Sequence, residues 1–227
     1  MRALSTTEWL AVLFLAMSAM LNQTGCCPDG KEPVDYINPN IGTIGQLLVA
    51  TSPDVTLPNG KVKLAPYTTP GITDKYLADK IYGFPVRESS HRRSQVTALL
   101  MPTVGELTTD VAKNASTYDH DFEIATPYYY AITLEDYDIQ VELTVTENST
   151  YYRFTFPESK ASNILLSLAR ESAVEILNDH SMAGLEPTRT GQAYFHAELS
   201  KPFAAFGTWD STGIEQSVKA RTGAKIG

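Results

Sequence analysis

Two short stretches gather the side chains best suited to chemistry. Asp119-His120-Asp121 is the densest cluster of titratable groups in the chain, and a histidine set between carboxylates can hold and pass a proton near neutral pH. On extended backbone, alternation would put Asp119 and Asp121 on one face and His120 on the other. The second stretch, Gly83-Phe84-Pro85-Val86-Arg87-Glu88-Ser89-Ser90-His91-Arg92-Arg93, sets arginines and a histidine beside an apolar Gly-Phe turn. Such a combination supplies hydrogen-bond donors for the hydroxyl groups of a ligand. The candidate ligand contacts are therefore Phe84, Arg87, His91, Asp119 and His120. Each stretch also has a plainer reading: a solvated loop ahead of Pro127, and a basic loop that balances an acidic surface. No Gly-x-Ser-x-Gly elbow and no phosphate-cradling glycine loop occurs.

These residues need a frame, and the sequence predicts one made of strands. Ile139, Val141, Leu143 and Val145 alternate with Gln140, Glu142, Thr144 and Thr146, the period-two pattern of a strand with one dry and one wet face. Tyr128 to Leu134 and Tyr151 to Phe156 flank it, joined through Glu135-Asp136-Tyr137-Asp138 and Glu147-Asn148-Ser149-Thr150, so three strands form a meander. Asn163 to Leu168 reads as a short strand covered on both faces. Gln192 to Leu199 and Phe203 to Trp209 read as two more, separated by Ser200-Lys201-Pro202, whereas Ala169 to Asn178 has weak helical character. Val34 to Thr43 reads as a first strand and its turn, because Asn38-Pro39 forces extended backbone before the proline. Short strands with regular turns predict an all-β antiparallel sandwich from about residue 34 to the end.

Composition narrows the function classes. The chain has 227 residues and a net charge of −8, with no long run of lysine or arginine, so nucleic acid is excluded as a partner. Its two cysteines, Cys26 and Cys27, are adjacent, which provides neither a disulfide framework nor a metal-ligand spacing. Behind Arg2, thirteen apolar or small residues run from Trp9 to Leu21, too short to span a bilayer and typical of a signal peptide over residues 1–25. The expected location is the periplasm or the cell surface. Gly25-Cys26 resembles the end of a bacterial lipoprotein signal, although Gln23 stands where that signal carries an apolar residue. Two routes stay open: acylation at Cys26, which would anchor the protein to the outer membrane, or ordinary cleavage after Ser18 or Ala19. Residues 26–33 then form a polar tether.

Several motifs carry a family resemblance. Val34-Asp35-Tyr36-Ile37-Asn38-Pro39-Asn40-Ile41-Gly42-Thr43 is similar to the opening of glycoside hydrolase family 92, the exo-acting α-mannosidases. Val62-Lys63-Leu64-Ala65-Pro66, Gly83-Phe84, Met101-Pro102, the run from Tyr118 to Pro127, Pro127-Tyr128-Tyr129-Tyr130 and Tyr152-Arg153-Phe154-Thr155-Phe156-Pro157 follow in matching order. His91 also stands in matching order, but the Ser-His-Thr-His tetrapeptide common in the family is absent. The resemblance implies a large twisted sandwich like that of galactose mutarotases. It implies an amino-terminal domain over residues 34–227 whose loops complete a pocket for a mannose-containing glycan. The catalytic carboxylates and a calcium ion are expected in a further helical domain, so neither catalytic residues nor a metal site is expected in this chain. Inverting hydrolysis needs a carboxylic acid and a carboxylate about 6.5–9.5 Å apart, and no spacing here singles out a pair. A stand-alone carbohydrate-binding lipoprotein and a complete mutarotase-like enzyme using His91 or His120 are the alternatives.

Overall fold

The computed structural model describes residues 30–44, 51–69, 77–88, 96–159, 161–188 and 191–227. It separates into two compact units, Met1–Ile37 and Asn38–Gly227. Among the described residues of the first unit the one regular element is a 3-10 turn, Pro33–Tyr36. Pro33 sits at its start, where a missing N–H costs nothing, and Asp35 Oδ2 accepts the Glu32 N–H at 2.9 Å. The expected strand over Val34 to Thr43 is therefore not formed. Within the second unit, Asn38 Oδ1 accepts the Asn40 N–H at 2.9 Å and the chain turns through residues 39–42. A short polar side chain has taken the place of a strand partner.

All strand pairs in the second unit are antiparallel. A ribbon of β1 (Val55–Thr56) and β2 (Lys63–Leu64) comes first. Strands β3 (Tyr67–Thr68), β4 (Lys80–Glu88) and β5 (Val96–Val104) then build the middle sheet, with β6 (Ser116–Thr117) paired to β4. The predicted meander follows, as β7 (Ile124–Thr126), β8 (Tyr129–Leu134), β9 (Ile139–Val145) and β10 (Thr150–Thr155) in the order β10-β9-β8-β7. Next, β11 (Ser162–Ser167) returns to β5 and completes the middle sheet, β11-β5-β4-β3. A third sheet, β14-β13-β12-β17, uses β12 (Ser172–Ile176), β13 (Ser181–Thr188), β14 (Gly191–Glu198) and β17 (Ala220–Gly223). A ribbon of β15 (Gly207–Asp210) and β16 (Gly213–Gln216) lies between β14 and β17 in the chain.

Two hydrophobic cores follow from strand alternation. Ile139, Val141, Leu143 and Val145 of β9 and Tyr130, Ile132 and Leu134 of β8 pack with Ile81, Phe84 and Met101 of the middle sheet. On the other side of that sheet, Ala98, Leu100 and Leu166 pack with Val174, Ile176, Met182 and Phe195 of the third sheet. The middle sheet is thus covered on both faces, but in its edge strand β11 Leu165 and Leu166 are buried while Ile164 is 37% exposed, so the expected double cover of that strand is only partial. The result is an all-β, layered antiparallel sandwich.

The glycine of the Gly83-Phe84 motif is required by this packing. Gly83 has φ +149, and a Cβ there would meet Leu99 Cγ at 2.6 Å and the Leu100 carbonyl oxygen at 2.8 Å. Two other expectations are corrected. The segment Ala169 to Asn178 contains β12 and not a helix, because Ser172, Val174 and Ile176 alternate inward while the backbone pairs with β13 and β17. Of Phe203 to Trp209, only the last residues enter β15; Phe203 and Phe206 instead turn into the second core.

Candidate functional site

The Tyr118 to Tyr130 stretch does not run extended through its acidic cluster. Asp119 Oδ1 accepts the Asp121 N–H at 2.9 Å and caps a 3-10 turn, His120–Phe122. The alternation expected for Asp119, His120 and Asp121 is therefore replaced by a turn. This turn directs His120 inward. Its Nε2 lies 3.1 Å from the Ala78 carbonyl oxygen, its Nδ1 lies 3.1 Å from Glu123 Oε2, and its ring meets Tyr118 edge-on at 4.7 Å.

Glu123 is the hub of this arrangement. Its side chain is only 4% exposed, and a carboxylate so far out of water needs several donors. Tyr130 Oη donates to Oε1 at 2.7 Å, while His120 and, at 3.5 Å, Asn40 Nδ2 reach Oε2. Burial, with Glu123 second, lifts the Tyr130 phenol well above its usual range, so it remains a donor. Burial also pushes the Tyr118 phenol up, helped by the charges of Glu123 and Asp79. Residues from the opening motif, the acidic turn and the Tyr128-Tyr129-Tyr130 run thereby converge on one carboxylate.

Outside this hub lies an open recess of about 520 Å³ walled by Leu77, Ala78, Asp79, Tyr118, Asp119, His120, Asp121 and Glu135. Its lining sets the carboxylates of Asp79, Asp119, Asp121 and Glu135 beside Tyr118 and His120, a mixture suited to hydroxyl groups and unsuited to phosphate. Asp119 and His120 are brought together here. Phe84 is not: it is fully buried in the first core, edge-on to Tyr152 at 6.3 Å, so no ligand reaches it and its expected contact becomes packing. Arg87 is exposed on β4, paired with Thr97, and does not line the recess. His91, with Arg92 and Arg93, and Cys26 lie outside the described residues.

Reading the sequence for titratable clusters missed Glu123 and Asn40 as site residues. The spacing His120-x-x-Glu123 was the available sign, because a single turn brings residues three apart together. Nothing local points to Asn40, which is 83 residues away from Glu123. Among the described residues, no group of three or more His, Cys, Asp or Glu side chains could hold a metal ion.

The fold is an all-β antiparallel sandwich, and the recess on it is open and polar-lined. The profile of the glycosyl hydrolase family 92 N-terminal domain matches residues 36–227. The chain therefore belongs to glycoside hydrolase family 92, as its N-terminal domain. A family GH92 α-mannosidase from Bacteroides thetaiotaomicron, solved with mannoimidazole, superposes with a TM-score of 0.75 at 25% identity. The match covers 85% of this chain and 30% of that one. A family GH92 inverting mannosidase from Bacteroides thetaiotaomicron VPI-5482 has the same fold, with a TM-score of 0.75 at 23% identity over 86% of this chain and 29% of its own. This chain thus spans about three tenths of the length of those structures. No curated protein sequence matches it.

Proposed function

We propose that this chain is the amino-terminal sandwich of an exported, calcium-dependent, inverting exo-α-mannosidase acting on mannose-containing glycans. The sandwich supports a catalytic domain, and its loops form part of the wall of the mannose pocket. The observation that carries this reading is the convergence of Asn40, His120 and Tyr130 on Glu123 beneath an open polar recess. In this role His120 organises and does not catalyse: both ring nitrogens face oxygen acceptors within the chain. The catalytic carboxylates and the calcium belong to the rest of such an enzyme. Export follows from the apolar stretch Trp9 to Leu21, and acylation at Cys26 would add a membrane anchor.

The test is hydrolysis of an α-mannobiose by the purified chain with added calcium, run beside calorimetry for mannose binding. The expected result is no turnover, with weak binding that falls in Asp119→Ala and His120→Ala. The His120–Glu123 contact also supports a mutarotase-like reading, in which the pair would act as acid and base. Sugar turnover by the chain alone that disappears in His120→Ala would establish that reading and overturn the two-domain account.

A further inference from the structure

The outer face of the β10-β9-β8-β7 sheet is organised differently from the recess. Register puts Thr126, Tyr129, Thr144 and Tyr151 in one row across the four strands, and Ile124, Ala131, Glu142 and Arg153 in the next. The opposite face of this sheet supplies the first core. Tyr151 is 64% exposed. Tyr129 Oη donates to Glu142 Oε1 at 2.6 Å, and Arg153 grips the same carboxylate through Nε and Nη2, leaving the Nη1 hydrogens unused by Glu142.

We infer that this face is a second carbohydrate-binding surface, taking a neutral mannose-containing oligosaccharide along the Tyr129–Thr144–Tyr151 row. The sugar class rests on the function proposed above; the location does not. Three features select a sugar over other occupants. The exposed aliphatic content of the two rows is one residue, Ile124, too little for the apolar centre of a protein interface. The one cation is neutralised by Glu142 in a chain of net charge −8, which disfavours nucleic acid and anionic surfaces. What remains is the exposed ring of Tyr151 beside the half-buried Thr126, Tyr129 and Thr144, whose hydroxyls bond within the chain, and the charge-paired Arg153. Tyr129 and Tyr151 stand two strands apart, about 9.5 Å, comparable to the length of a disaccharide. The locked Tyr129–Glu142–Arg153 triad holds its groups in place before a ligand arrives, so little side-chain ordering opposes binding.

The experiment is titration of the full chain with α-mannobiose and with an α-linked mannan, read by calorimetry and by amide chemical shifts. Shift changes across β8, β9 and β10 are expected. Tyr151→Ala should weaken the outer-face binding about tenfold, as for truncation of a stacking aromatic, whereas Tyr151→Phe should retain it. Because Tyr151 is solvent-exposed, an unchanged melting curve will show that Tyr151→Ala is folded. Binding that is lost in Asp119→Ala and unchanged in Tyr151→Ala would overturn this inference and leave the recess reading intact. Absence of any shift change on this sheet at saturating sugar would also overturn it.

Discussion

Glu142 lies on the solvent side of β9, where alternation predicts a wet face, yet it is buried to 9% exposure by its neighbours. Arg153, and then Tyr129, hold its carboxyl below the ordinary value of 4.5. A folded-state value below the unfolded one means stability that is present above pH 4.5 and is lost as pH falls through the lowered value. The melting temperature of the wild-type chain should therefore drop on acidification below about pH 4.5 more steeply than that of Glu142→Gln. Superimposable acid limbs in thermal melts would show that the triad contributes nothing. No local pattern reveals this pairing. Glu142 and Arg153 are eleven residues apart, and only the β9–β10 register sets them opposite each other.

At the scale of elements, local patterns were strongest where one strand pairs with its sequence neighbours. The meander from β8 to β10 agrees with its predicted bounds to within a residue or so, because alternation and turn chemistry act over a few residues. Asp138, at φ +51, closes the β8–β9 turn in the left-handed region that Asp tolerates. The weak helical character of 169–178 gives way to β12, which gains its strand form from two partners that come later in the chain. Gly83 shows the same dependence in one residue. Its neighbour Phe84 looked like a ligand contact, but the pair exists so that β4 and β5 can approach closely over the first core. Gly83→Ala should cost about 2–3 kcal/mol through clash and backbone strain, measured as a lowered midpoint in urea denaturation. An unchanged midpoint would mean that β5 shifts aside without loss.

At the scale of the whole second unit, layers of sheet are held together by more than apolar packing. Glu186 of β13 is 1% exposed. Its Oε2 accepts the Ala98 N–H of β5 at 3.0 Å, and its Oε1 accepts the Ala169 N–H at 3.1 Å and Arg170 Nη1 at 3.2 Å. Ala98 has φ +51, a conformation that needs such support. A Gln at this position would turn an amide NH₂ toward a donor, so Glu186→Gln should destabilise by about 2–3 kcal/mol. Faster hydrogen exchange in β12 and β13 would accompany it, and unchanged exchange in both strands would refute a stapling role.

The sequence by itself determined the all-β class and the meander, because hydrophobic period and turn residues report what each strand buries. The family motifs it carries also located the acidic turn from which the recess is built. Only the tertiary structure decided that Phe84 is core, that Glu123 is the hub joining Asn40 to Tyr130, and that Arg153, Glu142 and Tyr129 form one triad. The physical reason is common to all three. A buried carboxylate is satisfied by donors from wherever the chain returns, and cross-strand contacts depend on register, which no residue's local neighbourhood contains.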